Sequence, residues 1–156
     1  MPMTTEEIDT FLSEPILGVL STVDGDGHPR QAPLWYHWED GGAYIFTGRG
    51  TLKWRNLQSD PHASLCVDRR EPPYAYVLIE GSVEESDRSL YELVLAMALR
   101  YYGEEQGPEY AKVYADDENM VVLRLTPERV VSWVQDDYPP SAAGSGSGGA
   151  SADARA

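Results

Sequence analysis

Arg49, Thr51, Lys53 and Arg55 fall within seven residues of one another, in the stretch FTGRGTLKWRNLQSDP that runs from 46 to 61. Basic groups this close, with a hydroxyl among them and glycines at 48 and 50, suit the holding of an anion. The glycines let the backbone turn tightly and come near a ligand. Thr51 is placed to cap a helix over residues 52–59, and Pro61 stops that helix from beyond. The first N–H groups of such a helix, and its positive dipole end, then face the turn. The chemistry on offer is recognition of one negatively charged group, a phosphate being the natural fit. The alternative is a capped surface helix whose basic residues are merely solvated.

The charge of the whole chain sharpens this. Its 156 residues carry 12 Lys and Arg against 26 Asp and Glu, a formal charge of −14. Neutralising a nucleic-acid backbone needs a basic face, so DNA and RNA are not expected partners. A small phosphorylated ligand remains compatible, because six of the twelve basic residues (Arg30, Arg49, Lys53, Arg55, Arg69 and Arg70) fall between positions 30 and 70.

Other chemistries lack their residues. His28, His37 and His62 are scattered without metal-ligand spacing, so no metal site is expected. The single cysteine, Cys66, sits in the alternation ASLCVD and reads as a buried strand thiol. No G-x-S-x-G elbow, Walker lysine motif or G-x-G-x-x-G fingerprint is present. The acidic pairs Glu84-Glu85, Asp116-Asp117 and Asp136-Asp137 read as solvated turn residues. The aromatics Trp35, Tyr36, Trp38, Tyr44, Trp54, Tyr74 and Tyr76 surround the basic turn in sequence. They would suit a flat, ring-bearing ligand with a phosphate handle, or else pack a core or a dimer interface.

The elements that must position these residues follow from periodicity. Residues 4–13 read as a helix opened by a Thr4–Glu7 capping box. Runs at 16–23 and 29–38 read as strands joined by the hairpin turn DGDGH, and a tight turn leads to a third strand over 43–47, a meander delivering the chain to the basic turn. Further strands are expected at 62–68 and at 74–84, where Gly81 signals a bulge or a close backbone approach. An amphipathic helix is expected over 86–102, with another helical turn near 108–115. Final strands at 120–125 and 129–135 flank a turn at Thr126-Pro127. Such a chain is one mainly β domain over residues 1–140, a barrel or sandwich with flanking helices. Residues 141–156, small and polar, read as a flexible tail. No run is long and apolar enough to cross a bilayer and the N-terminus is acidic, so a cytoplasmic protein is expected.

The runs Arg30-Gln31-Ala32-Pro33, Tyr44-Ile45-Phe46-Thr47, Thr51-x-Lys53 and Asn56-Leu57-x-x-Asp60-Pro61-x-Ala63-Ser64-Leu65 resemble the pyridoxamine 5'-phosphate oxidase-like superfamily. Within it they look closest to the branch of flavin and deazaflavin oxidoreductases that uses coenzyme F-420. The resemblance implies a six-stranded antiparallel split β-barrel of the FMN-binding type, a homodimer with its cofactor in a groove between subunits, and a small conjugated molecule as substrate. It further implies that Lys53 holds the cofactor phosphate with Thr51 and Arg49 beside it. Arg30, Gln31, Ala32, Pro33, Phe46 and Thr47 would line the ring, with Tyr74 and Tyr76 near it, supplied by the partner subunit. FMN in the same fold is the alternative cofactor, and a non-catalytic flavin- or haem-binding module the alternative function. One departure matters: pyridoxamine phosphate oxidases carry arginine immediately before the lysine, where this chain has Leu52, so vitamin B6 oxidation is not expected. Tyr36 or His37 is the candidate proton donor.

Overall fold

The computed structural model describes residues 1–136, and the expected tail at 141–156 lies outside them. The elements run α1 (Thr5–Leu12), β1 (Gly18–Val23), β2 (Pro29–Leu34), β3 (His37–Glu39), β4 (Gly42–Gly48), α2 (Leu52–Ser59), β5 (His62–Arg69), β6 (Ala75–Glu85), α3 (Leu90–Lys112) and β7 (Met120–Val134). The strands form one antiparallel sheet of seven in the order β2-β1-β5-β6-β7-β4-β3.

That order forces a barrel. Two residues, Trp35 and Tyr36, join β2 on one edge of the sheet to β3 on the other. Leu34 and His37 are three residues apart, so their Cα atoms lie within about 11 Å. In a flat sheet of seven strands the edges would be about 29 Å apart. The sheet must therefore curl until its edges meet, yet β2 and β3 share no ladder, and the barrel stays split. This is the mainly β split barrel expected, with two corrections. The run 29–38 is not one strand but breaks at Trp35-Tyr36, and the sheet has seven strands where the resemblance implied six. For the same reason β2 pairs with β1 alone and β4 with β3 and β7, so there is no three-stranded meander.

The expected turn at Thr126-Pro127 is also absent, because β7 runs unbroken from Met120 to Val134. The irregularity is taken up in register: Glu80 faces Arg129 and Gly81 faces Pro127, so Glu128 is the extra residue of a bulge. Proline is tolerated there since a bulge leaves a donor unneeded. Gly81 is required by proximity. A Cβ on it would stand 1.9 Å from the Thr126 carbonyl oxygen.

Alternation along the strands separates two faces. Leu20, Ile45, Leu65, Val67, Val77, Ile79, Leu123 and Leu125 fill the barrel. On the outside, α3 covers β4 and the first half of β7, with Leu93 and Met97 packed on Val122 beside Tyr44 and Phe46. What was expected as a helix over 86–102 and a turn near 108–115 is α3, whose two helical pieces meet at Gly103 (φ 84°, ψ −179°). The Thr4–Glu7 capping box is present at the start of α1, and α1 buries Phe11 and Leu12.

Gly81→Ala is expected to destabilise the protein by about 3 kcal/mol, because the obstacle is backbone with no rotamer to yield. Gly25→Ala, which meets nothing within 4 Å, serves as the control in the same chemical-denaturation series. Equal midpoints for the two variants would remove the close-approach argument.

Candidate anion and cofactor site

The turn between β4 and α2 is built as its sequence predicts. Gly50 has a φ of 90°, a region that side-chain-bearing residues rarely adopt. Thr51 caps α2: its Oγ1 accepts from the Trp54 N–H at 3.4 Å and donates to the Gly48 carbonyl oxygen at 3.0 Å, with the Thr47 hydroxyl also 3.0 Å away. Because the cap takes the Trp54 N–H, those of Leu52 and Lys53 have no acceptor among the described residues. The first turn of α2 carries no acidic residue. Its N-terminal field is thus left uncompensated, the condition for binding an anion. Asn56 anchors the helix to the sheet by donating from Nδ2 to the Thr22 Oγ1 at 3.1 Å, a buried polar pair.

The basic cluster is thinner in space than in sequence. Arg30 pairs with Asp24 at 2.9 Å, Arg49 with Glu85 at 2.5 Å, Arg69 with Glu14 at 2.6 Å and Arg70 with Asp68 at 3.2 Å. Lys53, half-buried, and Arg55, exposed, have no carboxylate within ion-pair distance among the described residues. Arg69 and Arg70 also stand at the far end of β5 from α2. Eight residues of strand put them about 23 Å away.

The other expected site residues divide the same way. Arg30 faces Thr22 across the β1–β2 ladder, and Thr22 touches Asn56 of α2, so the start of β2 lies beside α2. Gln31, Ala32 and Pro33 continue from there along an edge strand. Thr47 is buried and meets Thr51, whereas Phe46 points to the opposite face and packs edge-on against Tyr114, 5.3 Å between ring centres. Tyr74 is exposed, and Tyr76 stacks on Trp133 at 6.0 Å. Both sit at the beginning of β6, while Glu85, beside the basic turn, ends it. Nine residues of strand from Tyr76 to Glu85 amount to about 30 Å. Within one chain these tyrosines do not reach Lys53.

The two candidate proton donors are also separated. Tyr36 is fully buried and donates to the Leu12 carbonyl oxygen at 3.0 Å, and burial drives its phenol pKa far upward. It is a structural tie. His37, facing α3, has its pKa lowered, first by burial and then by the charges of Arg88 and Arg100. Burial raises the Cys66 thiol, which removes it as a nucleophile.

Asp24, Asp26 and His28 bring ligand atoms within 4.8 Å of one another. Asp24 is already engaged, its carboxylate accepting from the Asp26 and His28 N–H groups and from Arg30 Nε, which holds its pKa down at about 2. The group is a turn lock for the β1–β2 hairpin. One contributor to the α2 end was not legible as such. Glu85, expected as a solvated turn residue, is the last residue of β6 and the partner of Arg49. Trp54, expected to line a ring site or to pack the core, packs on the barrel core, its indole Nε1 buried with no partner among the described residues.

Comparison with known proteins gives the family and the fold. The family described as pyridoxamine 5'-phosphate oxidase matches residues 4–134. A conserved hypothetical protein from Mycobacterium tuberculosis is 25% identical, with 86% of each chain covered and a TM-score of 0.74. A structure named F420 reductase is also 25% identical, covering 78% of this chain and 94% of its own, with a TM-score of 0.64. The haem storage protein HutZ of Vibrio cholerae shares the fold at 21% identity, with 84% and 94% covered and a TM-score of 0.63.

The lowered pKa of His37 fixes a sign. The unfolded chain takes up a proton near the ordinary histidine value while the native site resists it, so this contribution to stability is complete above about pH 6.5 and lost as pH falls below it. Between about pH 7 and 5.5 the unfolding midpoint of the wild type should fall further than that of His37→Gln. Parallel curves would show that His37 does not titrate differently on folding.

Proposed function

Because the chain belongs to the pyridoxamine 5'-phosphate oxidase family, we propose that it is an oxidoreductase of the flavin type, and more specifically one that uses coenzyme F-420 to reduce a small conjugated substrate. The observation that carries the proposal is the acid-free N-terminus of α2 with Lys53 unpaired among the described residues, in a fold shared at 25% identity with a protein named F420 reductase.

The residues present suit the phosphate of such a cofactor. Lys53 supplies the charge, the N–H groups of Leu52 and Lys53 supply donors, and Thr51 holds the turn in shape. Arg30 to Pro33 lie on β2, an edge strand that carries Pro29 and Pro33, a surface that resists pairing with another strand and leaves room for a flat ring. When bound, the deazaflavin supplies hydride transfer, so the protein needs no nucleophile or metal of its own. Its tasks are to hold the phosphate, orient the ring and shed water. Leu52 in place of the arginine argues against oxidation of a B6 vitamer.

The ring-facing roles of Tyr74 and Tyr76 require a second copy of the chain. A homodimer gives them one, and the outer face of β1, β5, β6 and the end of β7 is free to form it. Val19, Cys66, Leu78 and Val131 are half-buried there and Trp133 is 38% exposed, with no helix packed over them among the described residues. No helix among the described residues is long and apolar enough to cross a membrane, and a cytoplasmic site of action is part of the same proposal.

FMN is favoured as the second reading by one specific finding. The acidic tail of F-420 calls for additional cations, and Arg69 and Arg70 are both paired and remote from α2 within one chain. Fluorescence titration with oxidised and reduced F-420 and with FMN separates the readings. F-420 is expected to bind at micromolar concentration, about 8 kcal/mol, and Lys53→Ala to weaken it about tenfold or more. Micromolar binding of FMN alone would reassign the cofactor, and binding of neither would overturn the proposal.

A further inference from the structure

We propose that Glu85 is a counter-charge gate on the anion site: it holds Arg49 until a ligand with enough negative charge draws the guanidinium away. The inference rests on the reading of the α2 N-terminus as a phosphate site and deepens it.

The geometry is that of a switch with fixed mounts and movable arms. The Arg49 N–H donates to the Asn119 carbonyl oxygen at 2.8 Å, immediately before β7. Glu85 closes β6 in register with Leu123 of the same strand, and the Ser86 N–H donates to Val122 O at 2.9 Å. Both backbones are therefore held by β7. The side chains meet in solvent, Arg49 Nη2 lying 2.5 Å from Glu85 Oε1 and Nη1 3.5 Å from Oε2, with 46% and 49% of each side chain exposed. Ion pairs this exposed are weak, so the pair can open by rotation alone.

A phosphate at the start of α2 meets Lys53 unopposed and then competes with Glu85 for Arg49. Guanidinium binds phosphate side-on as well as it binds carboxylate, and the contest is decided by charge. A phosphate monoester such as that of FMN is close to a dianion, whereas a phosphodiester such as that of F-420 is a monoanion. Glu85 thereby sets a threshold that distinguishes ligands by phosphate charge. Simple repulsion of the ligand by Glu85 would act in the same direction but would not need Arg49, and this separates the two accounts.

The test measures binding of FMN, F-420 and inorganic pyrophosphate to the wild type, Glu85→Gln, Arg49→Ala and the double variant. Glu85→Gln is expected to tighten FMN and pyrophosphate about threefold to tenfold and F-420 less, and Arg49→Ala to abolish the gain. A gain that survives in the Arg49→Ala background, no gain at all, or failure of pyrophosphate to bind any of the four proteins would overturn the gate. Should neither cofactor bind while pyrophosphate follows the expected order, the gate stands and the cofactor reading falls. Should the cofactors bind with Glu85→Gln neutral, the reverse holds.

Discussion

Everything in this structure follows from the shortness of the link between β2 and β3. Two residues cannot bridge the width of a seven-stranded sheet, so the sheet closes on itself and acquires an inside, two ends and an outer wall. The link is clamped accordingly. Tyr36 is fully buried and its hydroxyl donates to Leu12 of α1, while Arg100 of α3 lies over its ring at 5.0 Å and donates to its carbonyl oxygen. Residues from α1 and α3 thus meet at the one place where the barrel would otherwise spring open. Burying Tyr36 with its hydroxyl satisfied avoids the cost of an orphaned polar group, which would be about 1–3 kcal/mol.

Closure determines where the candidate anion site can be. The end formed by the last residues of β4 and β6 and the start of β7 receives α2, and the opposite end receives α1 with Arg69 and Ala75 nearby. In a chain with more than twice as many acids as bases, the basic residues are mostly neutralised where they stand. Four arginines of the cluster between 30 and 70 have carboxylate partners. What makes the α2 turn positive is less an accumulation of cations than an exclusion of acids, since no Asp or Glu occupies its first turn.

Features encoded by neighbouring residues were legible in the sequence. The Thr4–Glu7 box, the Asp-Gly hairpin, α2 over 52–59 and the Gly81 irregularity each depend on a few adjacent side chains and their local geometry. What escaped reading depends on residues far apart. Pro29 and Pro33 interrupt the first half of PRQAPLWYHW, yet the break falls after them at Trp35-Tyr36, among aromatic residues that favour strands; it is the pairing of β3 with β4 that places it there. Thr126-Pro127 looks like a turn until Gly81, 46 residues earlier in the chain, offers the space for a bulge. The ion pairs Arg69–Glu14 and Arg49–Glu85 span 55 and 36 residues, so the apparent basic cluster could not be discounted from its own neighbourhood.

A net charge of −14 is no obstacle to an anion site built this way, and the reason is one of range. At physiological ionic strength exposed charges are screened beyond about 8 Å. The carboxylates of Glu6, Glu7 and Glu14 cluster with Arg69 at the α1 end, roughly the length of β6, about 30 Å, from the α2 turn. They contribute almost nothing to its field. The groups placed in the turn or paired across it are Arg49, Glu85, Lys53 and Arg55, and the first two cancel each other. The sign of the turn is therefore decided by Lys53, Arg55 and the helix amides, opposed by Glu85 through its pairing with Arg49.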